Sequence, residues 1–410
     1  MVNERIRRMT YMKDFKCIGS SCTDNCCIGW DVDIDIETYK GYKSRKDSPL
    51  FERLSSDVIL NNDCYDKGID YGRMVLSGTK RCPFLASDDL CDIQRTHGET
   101  ALSKVCNAYP RVVNLVDGVL ELSATMSCPE VARMVLLDGG SLMIEEADVD
   151  ASRFIITQQV ATKDPSLKHH PAKYFNELRA FSMDLLKNSD YPLVKRLHLL
   201  GEMHERILPM HASGNIEGVP ATLKKCKNKV LNKEYVNYLK KLRPDYRQQL
   251  NFFIENTNVL DGDKQIENQT FGKLLKAAKQ GLEIKRSKPG SNSYSLYELN
   301  AIRHVEPFMV RHERIFENYI VNTMYKSMYP FSEQGDPYAG YTMLVVRVFL
   351  IKAVLIGLCA NKVTLTPTLA VEVIQSFSKT LEHHKTFMND LLQQLMESGS
   401  DELKYLSKLL

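Results

Sequence analysis

The first residues in the sequence that could do chemistry are cysteines. Four of them fall in the stretch CIGSSCTDNCC, with the spacing Cys17-x4-Cys22-x3-Cys26-Cys27. Nine of the eleven cysteines precede residue 130, the other five being Cys64, Cys82, Cys91, Cys106 and Cys128. Thiolates that lie close together repel one another and are best tolerated when a cation binds them. The pattern therefore predicts a cysteine-bound metal site.

The cellular compartment decides between a metal site and disulfide bonds. The start of the chain, MVNERIRRMTYMKDF, lacks the apolar core of a secretory signal. We therefore expect a cytoplasmic protein, in which thiols stay reduced and disulfides are rare. A set of reduced thiols that bind nothing is the alternative. Zinc and iron–sulfur clusters both accept thiolate ligands, so the identity of the metal stays open.

Several familiar kinds of site are excluded by spacing. Radical enzymes that use S-adenosylmethionine usually carry C-x3-C-x2-C, and the third cysteine would fall here on Gly29. The three aspartates of WDVDIDI do not form an EF-hand loop, because Ile36 stands where that loop needs glycine. P-loop, GxSxG and HExxH motifs are missing from the sequence. The pairs His169-His170 and His383-His384 are expected to be exposed and idle, because adjacent side chains on a helix diverge.

Local patterns predict short elements around the thiols. WDVDIDI (residues 30–36) alternates apolar and acidic residues and predicts a half-buried strand. KRCPFLASDDLCDIQ predicts a hairpin in which Cys82 and Cys91 face each other. Asp117-Gly118, between two apolar runs, predicts a second hairpin.

Two capping boxes predict helices in the same region. Thr96 would open a helix that contains Cys106 in its last turns and ends before Pro110. Ser127 would cap the next helix, with Cys128 at its N-terminus. We expect the helix dipole to lower the pKa of the Cys128 thiol there.

Charge and hydropathy exclude other classes of protein. The net charge of +3 is too small for a nucleic-acid binder, and we expect the basic start NERIRRMTYMKDFK to be a solvated arm. The apolar run MLVVRVFLIKAVLIGLCA (343–360) contains Arg347 and Lys352, so it predicts a buried helix rather than a membrane span.

Beyond about residue 150 the pattern is predominantly helical, in the segments AKYFNELRAFSMDLLKN, YPLVKRLHLLGEMHERIL, LNKEYVNYLKKL, NQTFGKLLKAAKQGL, VRHERIFENYIVNTMYKSM and TLAVEVIQSFSKTLEHHKTFMNDLLQQLM. The stretch DGGSLMIEEADVDAS (138–152) is predicted to be a linker. We expect a mainly α protein with a small α+β cysteine-rich metal-binding module at residues 1–140 and a helical domain at residues 141–410.

Long segments of the chain resemble a known family. YMKDFKCIGSSCTDNCCIGWDVDIDIETYKGY and CPFLASDDLCDIQRTHGETALSKVCNAYPR are similar to the cysteine-rich region of the flagellin lysine-N-methylases. The elements CPFL, C-x-I and C-x-x-YPR are also similar to those of the CxxCxxCC zinc- or iron-chelating domains. HERIFENYIVNTMYKSMYPF and GYTMLVVRVFLIKAVLIGLCA resemble later parts of the methylases.

The resemblance implies transfer of methyl groups from S-adenosylmethionine to lysine ε-amines of flagellin, and a cysteine-bound [4Fe–4S] cluster. The metal ligands that it implies are Cys17, Cys22, Cys26, Cys27, Cys82, Cys91, Cys106 and Cys128. Cys64 matches none of the family motifs. One such cluster takes at most four thiolates, so some of these cysteines have another role.

The sequence assigns neither the donor site nor the general base. Two other hypotheses remain open: a metal-chelating or iron–sulfur handling protein, and a zinc-stapled helical interaction protein without catalysis. The partner expected from the resemblance is flagellin, and the oligomeric state is left open.

Overall fold

A computed structural model describes residues 3–138, 140–151, 154–230, 239, 242–262, 270–286, 288–384 and 386–410. The strands are β1 (Asn3–Met9), β2 (Asp33–Ile34), β3 (Val58–Leu60), β4 (Gly72–Met74), β5 (Arg111–Val116), β6 (Val119–Ala124), β7 (Ile144–Asp150) and β8 (Ile156–Val160). The helices before residue 140 are α1 (Ile36–Ser44), α2 (Phe51–Ser56), α3 (Asp92–His97), α4 (Lys104–Ala108) and α5 (Pro129–Leu136).

The later helices are α6 (Phe175–Lys187), α7 (Leu193–Ser213), α8 (Val219–Val230), α9 (Tyr246–Thr257), α10 (Thr270–Gly281), α11 (Ser293–Asn300), α12 (Glu306–Arg311), α13 (Glu313–Lys326), α14 (Pro337–Ala360), α15 (Pro367–Thr380), α16 (Phe387–Ser398) and α17 (Leu403–Leu409). The fold is thus mainly helical with a small sheet region near the N-terminus, as the sequence predicts. The predicted helix LNKEYVNYLKKL lies almost entirely outside the described residues.

A mixed five-stranded sheet is built from both ends of the first 160 residues, in the order β7-β1-β6-β5-β8. β1 runs parallel to β6 and antiparallel to β7, and β5 pairs antiparallel with β6 and parallel with β8. The hairpin of β5 and β6 turns at Asp117-Gly118, whose φ angles of 48° and 82° are those that a tight hairpin turn needs. This hairpin prediction is confirmed.

The basic start of the chain is a sheet strand, so the prediction of a solvated arm is wrong. β1 lies between β6 and β7, and the acidic side chains of β7 pair with its arginines across the strands. Arg8 Nε lies 2.8 Å from Glu145 Oε1, and Arg5 pairs with Glu146. The predicted linker at 138–152 is also wrong, because residues 144–150 form β7. Strand β7 buries none of its side chains fully, so its sequence lacks the strong alternation of apolar and polar residues that would indicate a strand.

Residues 17–108 form a separate lobe, called here the cysteine lobe. It contains the antiparallel sheet β2-β4-β3 and helices α1 to α4. Its small hydrophobic core consists of Val32, Ile34, Tyr42, Leu54, Val58, Met74, Cys82, Phe84, Leu85, Ile93 and Ala101. β1, β6 and α5 instead share the large core of the helices. The predicted division at residue 140 therefore does not coincide with the boundary between the two cores.

Three local predictions in the cysteine lobe are only partly right, for identifiable reasons. The strand predicted at 30–36 is short because Asp35 caps α1, its Oδ1 accepting from Thr38 N at 3.0 Å. Cys82 and Cys91 do not face each other in a hairpin, since a single bridge joins Leu85 to Cys91.

Thr96 opens no helix. It lies inside α3, which ends at His97, and Gly98 follows with a φ of 79°. The helix that contains Cys106 is α4, which begins after Ser103. Ser103 Oγ accepts from Cys106 N at 3.2 Å and is the actual cap.

Helix α14 is the centre of the helical body. Among the described residues it is the one helix long and apolar enough to cross a membrane, and 83% of its most apolar window is buried in the protein. Its two cations are satisfied internally: Arg347 Nη2 lies 2.8 Å from Glu333 Oε1, and Lys352 Nζ donates to the backbone oxygen of Leu410 at 3.0 Å. The prediction of a buried helix is confirmed.

Helix α13 joins the helical body to the sheet region through buried asparagines. Asn318 Nδ2 donates to Val135 O at 2.8 Å. Asn322 Nδ2 donates to Ala124 O at 3.0 Å, while its Oδ1 accepts from Tyr11 Oη at 2.7 Å. Both asparagines are fully buried. The stretch HERIFENYIVNTMYKSMYPF therefore has a clear structural role, which is to hold β6 and α5 against the helices.

The first prediction concerns this junction. Replacement Asn322→Ala leaves the Tyr11 hydroxyl and the Ala124 carbonyl short of a partner inside the core. We expect it to lower the free energy of unfolding by about 1–3 kcal/mol. The exposed Gln393→Ala, which breaks only a surface hydrogen bond to Glu397, is the control and should change stability by less than about 0.5 kcal/mol. Urea unfolding curves measure both, and equal curves for the two variants would contradict this role.

The second prediction concerns His204, which is buried in α7 with Nε2 2.5 Å from Tyr329 Oη. Burial lowers the pKa of His204 from 6.5 to about 3. On acidification below about pH 6.5, the unfolded chain gains a proton there that the folded chain does not bind until near pH 3. This residue therefore makes stability fall with acidification, by roughly 1.4 kcal/mol per pH unit.

His204→Gln keeps a polar side chain and removes the titration. Between about pH 6 and about pH 4, the unfolding free energy of this variant should fall less steeply on acidification than that of the wild type. The two slopes should differ by the amount that corresponds to uptake of about one proton. Denaturant unfolding across this range gives both slopes. Identical slopes in the two proteins would show that burial does not lower the pKa of His204 in the folded protein.

Candidate metal centre and the adjoining cleft

The structure gathers most of the predicted cysteine ligands around Cys26. The thiols that interact electrostatically with it are those of Cys22, Cys27, Cys82, Cys91, Cys106 and Cys128. Cys17 interacts with Cys22. Cys64 makes a different contact, with its Sγ 3.4 Å from Asp70 Oδ1.

A dense set of free thiols is a donor set that suits zinc or an iron–sulfur cluster. Within the described ranges, however, no three histidine, cysteine, aspartate or glutamate side chains stand as a ready-made metal-binding group. The thiols thus have the donor chemistry of a metal site, but they do not already surround a common centre. Metal binding by the eight cysteines stays a prediction.

Burial raises the pKa of most of these thiols. It does so to about 11 for Cys82 and about 12 for Cys106. The prediction for Cys128 is half right: it directly precedes α5, but burial raises its pKa to about 12 where the helix dipole was expected to lower it. Desolvation of the charged thiolate outweighs the backbone amides of that helix end. Without a cation, these groups are therefore neutral thiols.

Cys26 is the exception. Its side chain is exposed, and the adjacent Cys27 donates to its sulfur, which lowers the pKa of Cys26 to about 7. The ammonium of Lys379 on α15 acts in the same direction. The pKa of Cys27 is raised by the same hydrogen bond and by burial. The hydrogen bond from Cys27 and the ammonium of Lys379 thus favour the thiolate form of Cys26.

Two side chains of α15 hold the loop that carries Cys26. Lys379 Nζ pairs with Asp24 and donates to the backbone oxygen of Asn25 at 3.0 Å. Gln375 Nε2 donates to Asp24 Oδ2 at 3.0 Å and to the backbone oxygen of Ser127 at 2.8 Å. These contacts join the cysteine lobe, the start of α5 and the helical body at one point.

A small cleft opens beside Cys26 at this junction. It is lined by Cys26, Gly29, Trp30, Tyr109, Ser127, Lys379 and His383. Gly29 has a φ of 101°, a backbone conformation that favours glycine.

Three aromatic rings surround the cleft. The ring centroids of Trp30 and Tyr109 lie 4.8 Å apart with 66° between their planes. The centroids of Trp30 and His383 lie 5.8 Å apart, with their planes at 59°. The indole Nε1 of Trp30 donates to the backbone oxygen of Cys26, which fixes the ring against the cysteine loop.

His383 is exposed, as predicted for the histidine pairs, but it is not idle. Its Nε2 lies 3.1 Å from Ser127 Oγ, and burial lowers the pKa of its imidazole. The preceding Glu382 is bound by Lys326 Nζ at 3.0 Å and by Tyr319 Oη at 2.9 Å. These partners hold the pKa of Glu382 at about 2 although burial opposes ionisation. Glu382 thereby anchors the turn after α15 that carries His383.

Sequence reasoning found the cysteines and missed the rest of the cleft. The predicted strand at 30–36 includes Trp30, and the C-x-x-YPR element includes Tyr109, but nothing in the sequence singles out Lys379. The single tryptophan beside a cysteine motif was the one available clue. Because Trp30 and His383 are more than 350 positions apart, no local pattern relates them.

Comparison with known proteins gives a family match. The chain matches the family described as FliB lysine N-methylase C-terminal domain over residues 179–409, more than half of its length. No solved structure matches.

Relatives match a smaller part of the chain. The flagellar biosynthetic protein FliU of Salmonella muenchen is 33% identical over 140 residues, which is 33% of this chain and 79% of FliU. Two lysine-N-methylases, from Salmonella choleraesuis and Salmonella typhimurium, are each 32% identical over 148 residues, or 35% of either protein. The match thus spans about a third of those two methylases.

The third prediction concerns thiol reactivity. In reduced, chelator-treated protein at neutral pH, iodoacetamide should modify Cys26 at least about tenfold faster than Cys82, Cys106 and Cys128, because the thiolate is the nucleophile and only Cys26 is both exposed and acidified. Time-resolved peptide mass spectrometry gives the rates, and circular dichroism verifies that the treated protein remains folded. Equal rates in folded protein would rule out the stabilised thiolate.

Proposed function

Because the chain belongs to the FliB lysine N-methylase family, we propose that it is a methyltransferase that moves methyl groups from S-adenosylmethionine to lysine ε-amines of flagellin. Family membership supports methyl transfer to lysine. The name of FliU, a flagellar biosynthetic protein, supports a flagellar substrate. The observation that carries the proposal is the family match over residues 179–409.

The chemistry constrains the acceptor. In the transfer, the lone pair of lysine Nζ forms a bond to the methyl carbon while the bond from that carbon to the sulfonium sulfur breaks. S-adenosylhomocysteine leaves, and Nζ loses one proton. The ordinary pKa of lysine is about 10.4, so the acceptor must be deprotonated before it attacks. An apolar environment or a nearby cation favours the neutral amine.

We also propose that the thiols around Cys26 hold a [4Fe–4S] cluster, with zinc as the alternative. The ligands would come from the group in which each thiol interacts with at least two others, which is Cys22, Cys26, Cys27, Cys82, Cys91, Cys106 and Cys128. When bound, a cluster would neutralise the thiolates and, at an open iron, bind the amino-acid end of the donor. Because burial keeps most of these thiols neutral without a cation, metal binding should release protons.

A cytoplasmic location fits this chemistry, since the cysteines are free thiols and such groups persist in reducing compartments. The buried environment of α14 agrees with a core helix. The proposal includes no nucleic-acid partner and no membrane span.

The fourth prediction tests the activity. Incubation of anaerobically purified protein with S-adenosylmethionine and flagellin should add methyl groups to flagellin lysines, as read by mass spectrometry. The matched cysteine variants are Cys26→Ser and Cys64→Ser. We expect the first to lose most of the activity and the second to retain it, because the Cys64 thiol contacts Asp70 and is not among the thiols that interact with Cys26.

Iron, sulfide and zinc analyses of the same preparations identify the metal, and circular dichroism separates loss of fold from loss of chemistry. Wild-type protein with a full complement of metal that leaves flagellin unmodified would reject the proposed function. A folded, metal-free variant that methylates at the normal rate would restrict the metal to a structural role.

A further inference from the structure

We propose that helix α15 holds the metal-binding segments in place, so that metal binding by the thiols is coupled to docking of the cysteine lobe on the helical body. Gln375 and Lys379 of α15 are the positioning residues. This inference rests on the proposed function, because it concerns the thiols proposed above as ligands. It adds a role for side chains of α15 that bind no metal themselves.

The proposed ligands belong to two different parts of the fold. Cys82 lies in the small core of the cysteine lobe, whereas Cys128 belongs to the large core of the helical body. The Cys128 thiol nevertheless interacts with the thiols of Cys22 and Cys26 in the lobe. The group of thiols therefore extends across the boundary between the two cores. A metal bound by thiols from both sides would hold the two parts of the chain together.

The loop that carries three of the thiols has no regular structure of its own. Residues 22–27, all of which the structure describes, lie in neither a helix nor a strand. Asp24 and Asn25 occupy the middle of this loop, and both accept hydrogen bonds from α15. Without the hydrogen-bond ladder of a helix or strand, the loop depends on such contacts to keep its thiols in place.

One face of α15 reaches both of the segments that carry candidate ligands. Gln375 and Lys379 lie four positions apart and therefore on the same side of the helix. Gln375 Nε2 donates to Asp24 Oδ2 at 3.0 Å and to the backbone oxygen of Ser127 at 2.8 Å. Because Ser127 directly precedes Cys128, this one amide joins the loop to the Cys128 segment.

These contacts are removed from water. The Gln375 residue is 5% exposed, and the side chain of Lys379 is 14% exposed. The pair of Lys379 with Asp24 therefore differs from a surface ion pair, which contributes little. Lysine ammonium and glutamine amide are not among the usual ligands of zinc or iron–sulfur clusters. A change in metal affinity on their replacement thus reports the position of the thiols rather than loss of a ligand.

The coupling has a size and a direction. Groups that orient metal ligands typically contribute roughly 10- to 100-fold to metal affinity. Linkage is reciprocal, so docking of the lobe raises metal affinity by the same factor by which metal stabilises docking. Loss of the α15 contacts should therefore weaken metal binding, and loss of metal should loosen the loop from α15.

The first test measures metal affinity apart from activity. Zn²⁺ is the probe, because thiolates bind it, and its affinity for the metal-stripped, reduced full-length protein is obtained by anaerobic competition with a chromophoric chelator. Lys379→Met and Gln375→Leu should each weaken the tightest zinc site roughly 10- to 100-fold. Gln375→Leu changes no charge, so its effect separates position from electrostatics. Lys379→Arg should restore part of the affinity.

Two matched controls remove the same side chains elsewhere. Lys173→Met breaks the ion pair of Lys173 with Glu217, and Gln393→Leu breaks the hydrogen bond of Gln393 to Glu397. Both should bind zinc with the wild-type affinity. Circular dichroism and urea unfolding establish that each variant is folded.

The second test uses the only tryptophan of the chain as a reporter of docking. The ring centroid of Trp30 lies 4.8 Å from that of Tyr109 and 5.8 Å from that of His383, on the turn after α15. Removal of metal from the wild type should increase acrylamide quenching of Trp30 fluorescence, and zinc should reverse the increase. In zinc-saturated Gln375→Leu, quenching should stay above that of the zinc-saturated wild type.

The outcomes separate this inference from the proposed function. Equal zinc affinity of the wild type and of folded Lys379→Met and Gln375→Leu overturns the coupling even if flagellin is methylated. An equal loss of affinity in the controls also overturns it. Weaker zinc binding in the α15 variants alone, in a protein that leaves flagellin unmodified, supports the coupling and rejects flagellin as the substrate. Absence of zinc binding by the wild type overturns the coupling and leaves methyl transfer to the activity assay.

Discussion

The arrangement of the candidate site depends on the contact of Lys379 and Gln375 with the loop that carries Cys26. Asp24 receives both side chains, and the same glutamine reaches the backbone of Ser127 at the start of α5. These hydrogen bonds are partly or fully removed from water, where a charge-assisted contact is strong and geometrically specific. They set the distance between the cysteine lobe and α15, and therefore the width of the cleft between them.

A second constraint is the desolvation of the thiols. Burial raises the pKa of Cys82, Cys106 and Cys128 well above the ordinary value, although Cys128 lies directly before a helix. Burial disfavours the thiolate form of these groups, and a bound cation, as proposed above, would favour it. The helix dipole lowers the pKa of the Cys128 thiol and burial raises it. Burial has the larger effect because the thiol is enclosed by protein.

The helical body supports this junction from behind. Asn318 and Asn322 of α13 bind the backbone of α5 and β6, and Lys326 of the same helix binds Glu382 at the end of α15. One helix thus fixes both the sheet that follows the cysteine lobe and the turn that carries His383. The family match covers α13 and α15. The physical contribution of these helices is to position the cleft.

The sequence by itself determined those features whose physical cause is local. The Asp117-Gly118 turn depends only on the positive φ angles that its two residues can adopt. Helix α14 depends only on a long apolar run whose two cations can both be paired inside the protein. The positions of the thiols were also readable, because cysteine type and spacing carry the chemistry.

Long-range pairing decided the rest. The start of the chain became a central strand because an acidic strand more than a hundred residues later pairs with its arginines. Local periodicity does not report such a partner. Burial raised the pKa of Cys128, where the helix dipole was expected to lower it. Burial depends on tertiary packing, so it cannot be read from the order of residues along the chain. The cleft is assembled from Trp30, Tyr109, Ser127, Lys379 and His383. Its geometry exists only when the cysteine lobe lies against α15, so only the tertiary structure determined it.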